Sequence, residues 1–424
     1  MKQTSFWVED HPRPEGLTSD LPAQCDVAIV GSGLTGLSAA VRLAEGGRSV
    51  VVLDRNEIAS GASSINGGMV SPDIKAGVRA VYEKHGPEIG RAMWDASVRS
   101  VELIIDHAKS YALGAKIING GMTGLGTRPG DLKYFETQVG WYREQFGVDW
   151  EVVGPDRIGE LVGGSDSFNS GFYEPEGIGV QPAGLVFGLA EAVAHAGARL
   201  VSNCPATSTT LNGSGFIVAT PKGDLKAGQV IVATNGYTTT EPIPALARKM
   251  VSIGSYIIVT EPLAEDEAKT IFPTNSMSYT RGRLLNYMRR TPDNRILIGG
   301  RRNLHPGLDL EESAQELRGQ MIGFWPSLAD KEITHVWGGR LGVPFDLVPH
   351  MGQEDGVWYA MGYAGHGVGL SALLGHELAG MLLGEDPPSV FTKVPHKGRW
   401  YYRNRPWFLT PASMLYRTLD RVGR

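Results

Sequence analysis

Residues 26–54 read "DVAIVGSGLTGLSAAVRLAEGGRSVVVLD", and the order of elements within them sets the fold. "DVAIV" is a short apolar strand, "GSGLTGLSAAVRLAEGG" turns into a helix, and "SVVVLD" returns as a second strand ending at Asp54. A strand, a glycine turn, a helix and a strand make a βαβ unit of a parallel sheet. The glycines fall as G-x-G-x-x-G at Gly31, Gly33 and Gly36. The first permits a tight turn, the second lets a pyrophosphate approach the backbone, and the third lets helix and strand pack closely. Amides at the helix start, around Leu34 and Thr35, then meet the phosphate charge. Asp54 stands 23 residues after Gly31, where an acid binds a ribose hydroxyl. The flanking elements and the acid together predict dinucleotide binding, where a lone glycine pattern would not. Asp54 also argues against a 2′-phosphorylated nucleotide, because two negative charges would meet.

The turn alone does not separate NAD from FAD. The next stretch, Arg55 to Pro72, is a polar loop of small residues rather than a third strand. Its serines, Asn66, Gly67 and Gly68 offer amides and hydroxyls to an extended cofactor, although such residues also favour plain surface turns. Near the C-terminus a second glycine-dense turn, "GYAGHGVGLSALLGHELAG" from Gly362, feeds another apolar helix.

Composition narrows the rest. A chain of 424 residues with 42% hydrophobic and 20% charged residues is ordinary for a globular protein of two to three domains. The net charge of −5 gives no reason to expect nucleic acid; Arg301 and Arg302 could face a small anion or sit at a solvated strand end. The two cysteines, Cys25 and Cys204, fit buried thiols in a reducing compartment and make no metal cluster. There is no signal-like apolar run at the N-terminus, and no stretch long enough to span a bilayer, so a cytoplasmic location is expected.

Periodicity predicts helices over 76–113, with Trp94, Val98, Val101 and Ile105 on one face, over 131–147, and from Pro182 to Ala196. A strand follows at 199–202, then hairpins over 206–233. The last of these strands ends at the turn Thr234, Asn235, Gly236, the end of a parallel sheet where ligands bind. Residues 250–345 alternate as strands with one helix near 311–325 and read as a mainly antiparallel domain. The fold predicted is α/β: a discontinuous Rossmann-like nucleotide-binding domain over 1–75, 150–245 and 350–390, and a mainly antiparallel β second domain over 76–149 and 246–349, which the resemblance below makes the FAD-binding and substrate domains. Residues 391–424 form a C-terminal extension.

The opening βαβ unit, "ASGASSINGG", "QPAGLVFGLAEAVAHAGARL", "VIVATNGYT" and "GYAGHGVGLSALLGHELAG" occur in one order over about residues 6–390. Together they resemble the FAD-dependent amine and amino-acid oxidoreductases of the D-amino-acid oxidase superfamily. Within it, the chain is similar to the bacterial γ-glutamylputrescine oxidase branch, near glycine oxidase and sarcosine oxidase. The resemblance implies FAD pyrophosphate at Gly31, Gly33 and Gly36, ribose at Asp54 and adenine near Arg55, bracketed by Ala206. It runs Ser60, Ser63, Asn66, Gly67, Gly68 and Met69 towards the flavin ring, closes Thr234, Asn235 and Gly236 over the cofactor, and sets Gly365, His366, Gly367 and Val368 beside the ring. Asn66 stands where some relatives carry a flavin-linking histidine, and no cysteine follows Cys204, so noncovalent FAD is implied. "RILIGGRR" lacks the lysine with which sarcosine oxidases activate oxygen, leaving oxygen or another electron acceptor open.

The chemistry implied is hydride transfer from the carbon beside a neutral amine to flavin N5, then imine hydrolysis. Substrates of this kind include γ-glutamyl polyamines, N-substituted glycines and D-amino acids; a flavin monooxygenase or a non-catalytic flavin subunit are the alternatives. His366 could position the ring, handle a proton or shape the turn; His350 reads as a pocket or loop residue, and His376 as structural. Candidate substrate residues are Tyr256, Tyr287 and Arg289, the last two sharing a strand face, together with Trp337 and Arg340 of "HVWGGRLG". Each has a packing alternative; either arginine could clamp a carboxylate, and Arg340 could instead face the flavin ring as a cofactor contact.

Overall fold

The computed structural model describes residues 1–111, 114–282, 284–301 and 304–421. Strand Gln24–Val30 lies between Val50–Leu53 and Gly223–Val232, all parallel. Arg199–Val201 extends one side and Val357–Met361 the other, also parallel, with His350–Glu354 as an antiparallel edge. Val50–Leu53 is buried throughout, as a parallel strand covered on both faces must be. Helices Leu34–Glu45, Pro182–His195 and Val368–Leu383 share one core with Ile29, Val50 and Val52. The first and last of these helices meet very closely: a Cβ on Gly375 would stand 2.1 Å from the Thr35 carbonyl oxygen.

The second sheet runs in the order Ile333–Pro344, Met250–Thr260, Ile296–Gly300, Tyr287–Arg290, Met277–Thr280, Met122–Gly126, Ser170–Glu174 and Glu151–Val153. Every neighbouring pair is antiparallel except Met277–Thr280 with Met122–Gly126. Helix Leu310–Phe324 covers its outer face with Leu317 and Met321 packed on Ile258 and Ile298. The α/β architecture, with a discontinuous nucleotide region and a mostly antiparallel second domain, is the one the sequence predicts.

Four local readings need correction. Residues 151–153 and 170–174 belong to the second sheet, not to the nucleotide region, because they pair with Met122–Gly126. The helix expected over 76–113 is two, Val78–His85 and Pro87–Ser110, broken where Gly86 takes φ 92° and Pro87 starts anew; residues 112 and 113 lie outside the described set. Short helices at Phe6–Asp10 and Glu265–Ile271 carried too few periodic positions to be read. Cys204 is buried, but Cys25 is only half-buried. Among the described residues no helix is long and apolar enough to cross a membrane, and no cluster could hold a metal ion.

Candidate active site

The first glycine turn takes the shape its spacing requires. Gly31 adopts φ 107°, and a Cβ there would meet the Ala233 carbonyl oxygen at 2.9 Å. A Cβ on Gly36 would stand 2.0 Å from the Gly31 carbonyl oxygen. Helix Leu34–Glu45 starts at Gly33, which has no side chain to cap it, so apart from the Leu34 amide its first-turn amides are the positive end of the helix dipole. Asp54 closes the next strand and accepts hydrogen bonds from the Ser32 N–H at 3.0 Å and the Ser32 hydroxyl at 2.5 Å. Arg55 is exposed beside it, and Ala206 is buried beneath.

The loop after Asp54 folds back across this turn. Leu34 N–H donates to Ser63 Oγ at 3.1 Å, while Ser60 is half-buried. Asn66 turns the chain by donating to the Ala62 and Ser63 carbonyls and accepting from Gly68 N–H. Three distant side chains then hold the loop's outward carbonyls. Trp7 donates to the Asn66 carbonyl at 2.8 Å, Trp337 to that of Ile65 at 2.7 Å, and Arg289 Nη1 to those of Gly68 and Val180 at 2.7 and 2.9 Å. Arg289 is fully buried, and burial pulls its guanidinium down to about 10.

Thr234, Asn235 and Gly236 form a single turn packed on the second sheet: a Cβ on Gly236 would lie 2.7 Å from the Leu341 carbonyl carbon. Asn235 Oδ1 accepts from Gly362 N–H at 3.0 Å, which joins this turn to the late one. The late helix starts at Val368 after Gly367, again with no side-chain cap. Gly365 holds φ 94°. His366 Nε2 lies 3.2 and 3.0 Å from the Ser71 and Pro72 carbonyls. The two helix starts are tied by a 2.7 Å hydrogen bond between Thr35 and Tyr363.

A cavity of about 800 Å³ opens between the loop after Asp54, the late turn and the second sheet. Of the residues predicted from sequence, Asn66, Gly67, Met69, Tyr287, Gly365, His366 and Val368 line it. Tyr287 lies against Gly67, over Gly299, whose missing side chain makes room for the ring, and its hydroxyl is 3.0 Å from Ser255 Oγ. Four predicted substrate residues are not in the lining. Trp337 and Arg289 are spent on the loop carbonyls just described. Tyr256 is core, accepting from Leu308 N–H at 2.8 Å, and Arg340 is exposed. His350 is buried between Asp346 and the Val394 carbonyl, stacked on His396, away from the cavity.

The charged lining came largely from elsewhere. Arg301 reaches it, half-buried, with its Nε buried and unpartnered among the described residues and its Nη2 beside Gly365. Arg302 lies outside the described residues. Lys75 sits near Arg301, and burial, reinforced by that cation, pulls it down to about 8. Asp73, Glu174 and Tyr279 line another part, where burial and mutual repulsion push Glu174 well up. Asp73 is held by Tyr142, whose hydroxyl donates at 2.5 Å, and by the Ile74 and Val78 amides. The sequence offered Arg301 as a residue that could face a small anion; Asp73 and Lys75 carry no motif beyond lying directly after the small-residue loop, and Glu174 looked like any strand end.

Comparison with known proteins agrees with this geometry. The family model described as "DAO: FAD dependent oxidoreductase" matches residues 26–381. The gamma-glutamylputrescine oxidoreductase of Escherichia coli (strain K12) is 30% identical over 405 residues, covering 94% of this chain and 93% of that protein. The glycine oxidase of Geobacillus kaustophilus (strain HTA426) is 23% identical, over 87% of this chain and 95% of that protein. The crystal structure of glycine oxidase from Geobacillus kaustophilus aligns with TM-score 0.76 at 19% identity, covering 89% of this chain and 100% of that one. L-amino acid deaminase from Proteus vulgaris aligns with TM-score 0.72 at 19% identity, covering 90% and 96%. These two structures share the fold.

Proposed function

The chain belongs to the FAD-dependent oxidoreductase family, and from that premise we propose that it oxidises the C–N bond of a small amine or amino acid, a γ-glutamyl polyamine foremost. The residues fit the cofactor. Two helices start at glycines that supply no side-chain cap, and their starts are tied by the Thr35–Tyr363 hydrogen bond; Gly31 and Gly36 are required by close backbone contacts within the first turn and with Ala233. In this reading Gly31, Gly33, Leu34, Thr35 and Gly36 hold the pyrophosphate, Asp54 the ribose, and Arg55 with Ala206 the adenine side. Ser60, Ser63, Asn66, Gly67, Gly68 and Met69 follow the chain to the ring, with Thr234, Asn235 and Gly236 closing over it and Gly365, His366, Gly367 and Val368 at its edge. Bound there, FAD supplies a two-electron acceptor for hydride from the carbon beside the amine.

The observation that carries the reading is the pairing of Arg301 and Lys75 in the cavity wall beside Gly365. A half-buried guanidinium whose buried Nε has no partner among the described residues is suited to a substrate carboxylate. Two cations also push a neighbouring ammonium towards its neutral form, the form from which hydride can leave. His366, fixed on the Ser71 and Pro72 carbonyls, holds the turn beside the ring. The relative at 30% identity carries gamma-glutamylputrescine in its name, which supports that substrate class over N-substituted glycines and D-amino acids. FAD is held noncovalently; acid precipitation should release all yellow colour into the supernatant.

The test is an anaerobic screen of the purified holoenzyme. Bleaching of the flavin by γ-glutamylputrescine, in preference to sarcosine, glycine or D-amino acids, is the expected result. No bleaching by any amine would sink the proposal. Peroxide formation with the hit then distinguishes oxygen from another acceptor.

A further inference from the structure

One wall of the cavity is a sheet face that the oxidation step does not use. In the register of the second sheet, Tyr279 stands opposite Gly124 and Gly124 opposite Phe172. Two residues along, Met122 stands opposite Glu174. Side chains two apart on a strand share a face, so Phe172 and Glu174 point the same way. Both line the cavity, as does Tyr279. Gly124 is the gap that admits the rings: a Cβ there would lie 2.2 Å from Phe172 Cε1, and the Phe172 and Tyr279 rings meet edge to face at 6.5 Å. From the helical side Tyr142 adds a further aromatic wall.

Glu174 is the unusual member. It is 4% exposed, and its Oε2 has no hydrogen-bond partner among the described residues. Its charged neighbours are Asp73 and Glu176, both acids, whereas Lys75 answers to Arg301. Asp73 differs from it, since three donors already satisfy that carboxylate. A buried carboxyl without a partner is costly unless something binds it. Aromatic rings around a carboxyl are the surroundings that hold an organic cation.

We propose that Glu174, with Phe172 and Tyr279, forms a subsite for a second, non-reacting ammonium group of the substrate. The subsite rests on the amine-oxidation reading and narrows its substrate class to amines that carry another cationic nitrogen. The cavity wall then carries two kinds of group: cations hold an anionic group and neutralise the reacting amine, while Glu174 and the rings hold the second ammonium.

The test uses intact holoenzyme, reduced with dithionite under anaerobic conditions so that ligands bind without turnover. Calorimetric titration compares 1,4-diaminobutane with 1-aminobutane, which differ only in the second ammonium. The diamine should bind at least tenfold more tightly, and Glu174→Gln should cut that ratio to about twofold or less. Equal affinities in the unaltered enzyme, or an unchanged ratio in Glu174→Gln, would overturn the subsite. Should Glu174→Gln lose FAD, Tyr279→Leu serves instead: it should cut the ratio about fivefold, and an undiminished ratio counts against the proposal. Failure of the amine-oxidation reading looks different, because no amine would bleach the flavin whatever the binding ratio.

Discussion

Replacing Arg289 with Met should cost this enzyme its cofactor rather than its substrate. Arg289 is fully buried and donates from Nη1 to the Gly68 and Val180 carbonyls at 2.7 and 2.9 Å, with a longer contact to that of Gly67 at 3.3 Å. Two short bonds from a charged donor are worth about 1.5–3 kcal/mol each, and they share one nitrogen, so about 3 kcal/mol is a fair total. Methionine fills part of the volume but removes the shared donor, and the Gly68 carbonyl then keeps only the Val180 N–H at 2.8 Å. Gly67 and Gly68 belong to the loop proposed to run along FAD and Val180 anchors it from the neighbouring segment, so a loosened loop must be ordered when FAD binds. A loss of about 3 kcal/mol corresponds to roughly a hundredfold weaker FAD binding. Titrating apoenzyme with FAD by flavin fluorescence reads this directly, and steady-state kinetics at saturating FAD should show a KM within about threefold of the unaltered enzyme. The reverse pattern, unchanged FAD affinity with KM raised tenfold or more, would place Arg289 on the substrate and refute the reasoning.

Arg301→Ala should weaken the binding of carboxylate-bearing substrates about a hundredfold at unchanged FAD content, as measured by half-saturation of anaerobic flavin reduction; a KM within threefold would remove Arg301 from the site. Lys75 is drawn down to about 8, so its charge is present below that pH and lost as pH rises through it. Binding of an anionic probe such as benzoate should therefore fall by up to about tenfold between about pH 7 and 9, and Lys75→Met should flatten the profile. The same shift makes burial of the charged lysine a cost below about pH 8. Its contribution to folded stability should therefore rise from there towards the ordinary lysine pKa of about 10.4. Gly367→Asp puts a Cβ 2.7 Å from Tyr363 Cβ and a carboxylate at the start of the late helix. It should lower FAD occupancy at least tenfold, and full occupancy with an unchanged redox potential would count against the ring-edge role of that turn.

The parts of this protein that the sequence determined are local. Gly31, Gly33, Gly36 and Asp54 act within one strand–turn–helix–strand unit, so their spacing already encodes their geometry. The late turn is legible for the same reason: Gly365 and Gly367 are required by a backbone conformation and a close contact that lie within a few residues of them. Fold class followed from the order of such units. What needed the tertiary structure was every side chain whose partner lies far away along the chain. Trp337 and Arg289 carry the right chemistry for a substrate site, yet the sheet aims them at carbonyls of residues 65–68 and 180, more than a hundred positions distant. Arg301, Glu174 and the Asp73–Lys75 pair come from three separate segments and meet only when the second sheet packs on the nucleotide region. Burial then decides their character, because a carboxyl or an ammonium acquires an unusual proton affinity only where neighbouring elements exclude water. No pattern within one segment records which segments those neighbours are.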